Sequence, residues 1–229
     1  MEFSHFSSPR VLDALLSGLT ETVKLAVWSS VLALFVGVVV AFAKAAGPRW
    51  IKAMAQAYVL FLRNVPLLIQ LFFWYFGLIT LLPATEYPFV RHPNFGFFVA
   101  ALTISSVMGA FVAEVIRAGL EAVSAGQMEA AMASGLSRLQ AHRYVVVPQL
   151  VPVILPGLSN EFVNVLKGTT FAMTIGVAEL MWNAQHIESE TCRGLETMTA
   201  ITLMYFVLSA AIIVSFRVLE RLVALPGQR

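Results

Sequence analysis

The 229-residue sequence predicts an all-α integral membrane protein with about five transmembrane helices, and two observations carry that reading. Hydrophobic residues make up 59% of the chain and charged residues only 12%, and the mean hydropathy is +0.80. Soluble domains carry roughly a quarter charged residues, so this chain lacks the material for a water-facing surface. The apolar residues also gather into runs close to the ~20 residues that a helix needs to cross a bilayer, with short polar turns between them. Five such runs occupy the whole length, so residues 1–229 are expected to form one transmembrane domain without a soluble catalytic one.

Ser8-Pro9 reads as a helix N-cap followed by proline at the first helical position. Pro9 to Ser17 is therefore expected as a short interfacial helix ended by Gly18. The segment lacks the basic start and small-residue cleavage site of a secretory signal. The first apolar run, Leu25 to Ala43, is closed by Lys44 and the Gly47-Pro48-Arg49 turn. The second spans Tyr58 to Leu82, with Arg63, Asn64 and Pro66 near its start and Pro83 at its exit. The third runs from Phe95 to Ile116. A less apolar stretch, Ala118 to Gln149, follows it. The fourth begins at Leu150, is interrupted at Lys167-Gly168 and continues from Phe171 to Trp182. The fifth is Met198 to Phe216.

Basic residues orient these runs. Of the 15 Lys and Arg, ten fall on one side: Lys44, Arg49, Lys52, Arg63, Arg117, Arg138, Arg143, Arg217, Arg221 and Arg229. Only Arg10, Arg91 and Arg193 fall on the other, with Lys24 and Lys167 at or inside apolar runs. The positive-inside rule puts the larger set in the cytoplasm, the N-terminus outside and the C-terminus inside. Glu86, Glu188, Glu190 and Glu196 lie on the outer side. A net charge of +2 with dispersed basic residues speaks against nucleic-acid binding. Cys192 has no partner cysteine, and the four histidines lack ligand spacing, so neither a disulfide nor a metal site is expected.

The cytoplasmic stretch has marked local order. Ser124 with Gln127, and Ser137 with Gln140, match capping-box spacing. Gly135 stands between them, where a left-handed turn would end the first helix. Two short helices joined by a tight elbow satisfy these signals, and so does an ordinary polar loop. Glu129-Ala130-Ala131, then Gly135, then Val145-Val146-Val147-Pro148 resembles the EAA signature of bacterial ABC importer permeases. Tyr58 to Pro66, Glu114-Val-Ile-Arg117, Gly126-Gln127, Pro148-Gln149 and the Lys167-Gly168-Thr169-Thr170 junction are similar to the polar amino-acid uptake branch. Arg63 to Leu67, Ile201-Thr202-Leu203 and the tail Leu225-Pro226-Gly227 resemble permeases of glutamate/aspartate importers. At the junction Gly168 stands where an aspartate is common in the branch.

The resemblance implies a type I ABC importer permease fold in a bacterial inner membrane. It also implies a second permease chain (sister or self), an ATP-binding subunit and a periplasmic amino-acid-binding protein. The segment around Gly126, Gln127, Glu129, Ala130, Ala131 and Gly135 would dock on the ATPase. No phosphate-cradling Gly-x4-Gly-Lys-Ser/Thr loop occurs in the chain. No cofactor is thus expected here, and ATP and Mg²⁺ would be bound by the partner ATPase.

Candidate pathway residues follow from cost. An ionisable group inside a span costs about 2.5–3.5 kcal/mol and so usually faces a cavity or a partner. Asn160, Asn164, Lys167 and Phe171 recur at helical spacing. Gly168, Thr169 and Thr170 are expected to break the helix, and broken helices are where transporters bind polar solutes. Lys167 would then meet a substrate carboxylate, with the Thr169 and Thr170 hydroxyls completing the cradle, and Glu161 a substrate ammonium. Alternatively, Lys167 pairs with Glu161 or Glu114 and stiffens the bundle. Glu114 and Arg117 have the spacing of a structural ion pair, and Arg63 reads as a cytoplasmic anchor of its span. Two other classes remain open: a membrane enzyme using Glu114, Glu161 and Lys167 as an acid–base set, and a channel subunit uncoupled from ATP.

Overall fold

The computed structural model describes residues 8–81, 88–123 and 125–223. Pro83, Glu86, Ser124 with its capping box, the Leu225-Pro226-Gly227 tail and Arg229 lie outside the described residues. Among the described residues nine α-helices follow one another: α1 (Pro9–Ala46), α2 (Arg49–Asn64), α3 (Leu67–Leu81), α4 (Phe95–Ala122), α5 (Ala125–Ala133), α6 (Arg138–Ala141), α7 (Val147–Gly168), α8 (Leu180–Thr191) and α9 (Gly194–Val223). Among the described residues four stretches are long and apolar enough to cross a membrane, one of them a continuous run from Arg138 to Ile175; the bent pair of α2 and α3, counted as one span, brings the number to five.

α1 corrects the expectation of a short helix ended at Gly18. It runs unbroken for 38 residues, because Gly18 is there for close packing and keeps the helix going. A Cβ at Gly18 would stand 2.7 Å from Asn183 Nδ2 and 2.9 Å from Leu180 Cα, so only glycine lets α8 approach. The same logic fits α1 to α4: a Cβ at Gly37 would lie 2.3 Å from Val112, and one at Gly109 2.7 Å from Val36. Small residues let two helices approach closely where lipid offers no hydrophobic gradient to press them together.

The second run is not a straight span. α2 and α3 meet at 104° across Val65-Pro66. α2 buries Ala55, Val59 and Leu62, one stripe at helical spacing, and leaves Arg49, Lys52 and Arg63 exposed. α4 is the central helix. Its buried residues, among them Ile104, Ala110, Val112 and Ala113, pack against α1, α2, α3 and α7.

The expected break at Lys167-Gly168 does not form. Gly168 keeps right-handed helical geometry (φ −62°, ψ −27°), and the chain tightens into a 3₁₀ turn over Thr169–Ile175. The break comes later, at Gly176 with φ +80°, a left-handed conformation that favours glycine.

Candidate functional site

Two places gather the polar residues singled out in the sequence. The first is the connection between α4 and α7. The elbow after α5 is a Schellman turn: Leu136 N–H donates to the Ala131 carbonyl at 3.2 Å, and Gly135 N–H to that of Met132 at 3.0 Å. Gly135 has φ +92°, as an elbow of this kind requires. Ser137 and Gln140 form the reciprocal capping box, with the Gln140 Oε1 accepting from Ser137 N–H at 2.9 Å. Gly126, Gln127, Glu129 and Ala130 are exposed, whereas Ala131 turns inward and is 6% exposed. Leu139 (80% exposed) and Tyr144 (63%) add apolar surface to the same connection.

The second place is a groove of about 410 Å³ walled by Leu67 of α3, Met108 and Phe111 of α4, and Glu161, Asn164, Lys167 and Gly168 of α7, with Thr170 and Phe171 following. Asn164 Nδ2 donates to Glu161 Oε2 at 3.3 Å. Lys167 is exposed and makes no ion pair with Glu161 or Glu114. Thr170 lines the groove, but its hydroxyl donates to the Lys167 carbonyl at 2.7 Å. Asn160 is exposed one turn earlier on α7, outside the groove wall. Thr169 is fully buried and bonds the Leu166 carbonyl at 2.7 Å, so it faces away from the groove.

Glu114 stands apart from the groove. Lys44 and Arg117 both bind its carboxylate, which separates it from the acid–base set with Glu161 and Lys167. Arg63, expected as the anchor of its span, is exposed, and its guanidinium lies 5.0 Å from the Phe111 ring centroid. That ring forms part of the groove wall, and Arg63 is also the cationic neighbour of Glu161. Proline at position 66 is the sequence signal that could have placed Arg63 here, since a bend after it brings the end of α2 toward α4.

A third cluster was missed altogether. Glu179 is 0% exposed. Its oxygens accept from Trp182 N–H at 2.8 Å, Tyr205 Oη at 2.9 Å and Thr22 Oγ1 at 3.3 Å. Thr22 Oγ1 also accepts from Leu180 N–H at 2.9 Å. Three donors converge on one buried carboxylate and tie α1, α8 and α9 together; such satisfaction is what makes a buried polar group tolerable.

With this geometry in hand, the likeness to known proteins is specific. The model of the family "Binding-protein-dependent transport system inner membrane component" matches residues 29–225. The glutamate/aspartate import permease protein GltJ of Escherichia coli (strain K12) is 32% identical over 97% of this chain and 92% of its own. A probable glutamine ABC transporter permease protein, GlnM of Bacillus subtilis (strain 168), is 35% identical over 81% of this chain and 82% of its own. A crystal structure of an amino acid ABC transporter with histidines superposes with a TM-score of 0.84 at 32% identity, covering 96% of this chain and 98% of that one. The chain is thus a multi-pass membrane protein that belongs to the binding-protein-dependent transport system inner membrane components, as a permease of the amino-acid ABC importers.

Proposed function

We propose that this permease admits an acidic amino acid, glutamate or aspartate, along the α4–α7 groove. The observation that supports this most is Lys167. Among the described residues it has no ion-pair partner, and it stands on a helix that must cross lipid, beside a groove that also holds a carboxylate. Exposure of such a face to acyl chains is costly, so a second permease chain would cover Asn160, Asn164 and Lys167 and close the pathway. In the pathway Lys167 meets the side-chain carboxylate, Glu161 the α-ammonium, and Asn164 serves as a neutral donor. Thr170 and Thr169 shape the wall through the backbone.

The relatives carry names for glutamate/aspartate and for glutamine, and the solved structure holds histidines, so likeness alone does not choose the substrate. The charge of Lys167 favours the acidic side chain. In this reading the N-terminus is periplasmic and the C-terminus cytoplasmic. A periplasmic binding protein delivers the amino acid, and α5, through Gly126, Gln127, Glu129 and Ala130, docks on an ATP-binding subunit that holds ATP and Mg²⁺. The test is ATP-driven uptake into proteoliposomes carrying the full complex, with glutamate, aspartate, glutamine and histidine in competition. Preference for the two acids supports the reading, and equal uptake of glutamine removes it.

A further inference from the structure

We propose that Gln70 is a positioning residue for transport: it braces the bend between α2 and α3 and so sets the width of the groove. The bend creates its own polar debt. Pro66 has no N–H, so the Leu62 carbonyl loses the donor that a continuous helix would supply. The N–H groups of Ile69 (3.1 Å) and Gln70 (3.2 Å) both turn to the Pro66 carbonyl, leaving the Val65 carbonyl to be met from elsewhere. Inside a bilayer no water meets such groups, and irregular backbone survives only where protein satisfies it.

Gln70 supplies both missing bonds. Its Nε2 donates to the Leu62 carbonyl at 3.0 Å and to the Val65 carbonyl at 2.8 Å, spanning the bend with one amide. The side chain is 4% exposed, and its Oε1 has no partner. An amide kept in place with its acceptor end unpaired is kept for its donor end. Gln70 is absent from the groove wall, so its influence passes through the backbone that it holds.

That backbone carries a neighbour of the groove wall on one side of the bend and a wall residue on the other. On the α2 side Arg63 lies over Phe111. On the α3 side Leu67 lines the groove, and its Cδ2 would come within 3.2 Å of a Cβ at Gly168. Opening the 104° angle moves Arg63 and Leu67 together, relative to Glu161 and Lys167 on α7. Displacements of about 1 Å in a positioning element can cost on the order of a hundredfold in rate. The transport half of this inference rests on the groove being the substrate path.

The test uses the assembled transporter, with ATPase and binding protein, in nanodiscs. Spin labels are placed at Lys52→Cys and Thr80→Cys in a Cys192→Ser background, and the interspin distance is measured alongside uptake. Gln70→Leu, similar in size but without a donor, is expected to shift and broaden the distance. It should also cut uptake about tenfold, mainly by raising KM. Gln70→His keeps a neutral ring N–H donor without an amide oxygen, and should bring both readouts back toward wild type. It also guards against failure of the leucine variant to fold. An unchanged distance in Gln70→Leu overturns the brace, and a shifted distance with normal uptake overturns its role in transport. Lys167→Met, run in parallel, keeps the two failures apart: normal uptake in that variant overturns the groove as the path and leaves the distance to judge the brace alone.

Discussion

Lys44 on α1 and Glu114 on α4 form an ion pair whose side chains are only 13% and 20% exposed, and Arg117 Nε donates to the other oxygen of the same carboxylate at 2.9 Å. One acid therefore holds two cations, and the two sides of the pair are unequal. Removing Lys44 leaves Glu114 with Arg117, whereas removing the charge of Glu114 strands Lys44 in a poorly solvated place. Glu114→Gln should cost about 3 kcal/mol and Lys44→Met clearly less. Thermal unfolding of the purified complex checks the order, and equal losses would contradict it.

The elbow at Gly135 gives a second prediction. A Cβ there meets nothing within 4 Å, so a substitution acts through backbone strain and not through a clash. The φ of +92° is a conformation that L side chains resist. Gly135→Val should cost at least 1–2 kcal/mol locally, about a 5–30-fold loss of the competent elbow. Gly135→Asn, which tolerates positive φ better, should be milder. ATPase co-purification and ATP-driven uptake are expected to fall together in the valine variant while membrane insertion is kept. Normal recovery of the ATPase would exclude the elbow from docking.

Parts of this molecule were legible because their signals are local. The Ser137–Gln140 box, the positive φ at Gly135 and the Glu114–Arg117 pair each span three or four residues, and each formed. Hydropathy likewise located the spans. Glycines were misread where their reason lies in a distant helix. Gly18 reads as a stop, but it makes room for Leu180 and Asn183 of α8. Gly168 reads as a break, yet it packs against Leu67 and stays helical. The Glu179 cluster was invisible for the same reason, since Thr22 lies 157 residues away in sequence. The contact of Arg63 with the Phe111 ring was illegible in the same way, because it depends on the bend at Pro66 and on a residue of α4.

Cys192 tests the orientation. It caps α8 in a left-handed conformation (φ 54°) and is exposed. With the N-terminus periplasmic, the α8–α9 connection lies outside, so a membrane-impermeant maleimide should label Cys192 in intact spheroplasts. Labelling that requires membrane rupture would reverse the proposed orientation.

The central claim is that Lys167 serves the substrate and not the scaffold. Among the described residues no carboxylate pairs with it, so Lys167→Met strands no described buried partner and should leave the melting temperature and subunit recovery of the complex unchanged. A bound acidic side chain, by contrast, would lose the cation that lines the groove, at roughly 1.5–3 kcal/mol for a charge-assisted hydrogen bond, or about a 10–150-fold loss. The decisive measurement is glutamate uptake by the reconstituted Lys167→Met complex, with Glu161→Gln added in a second sample. The account predicts uptake reduced at least tenfold in an intact complex, with no rescue by Glu161→Gln. Wild-type uptake in Lys167→Met, or full recovery in the double variant, would contradict it.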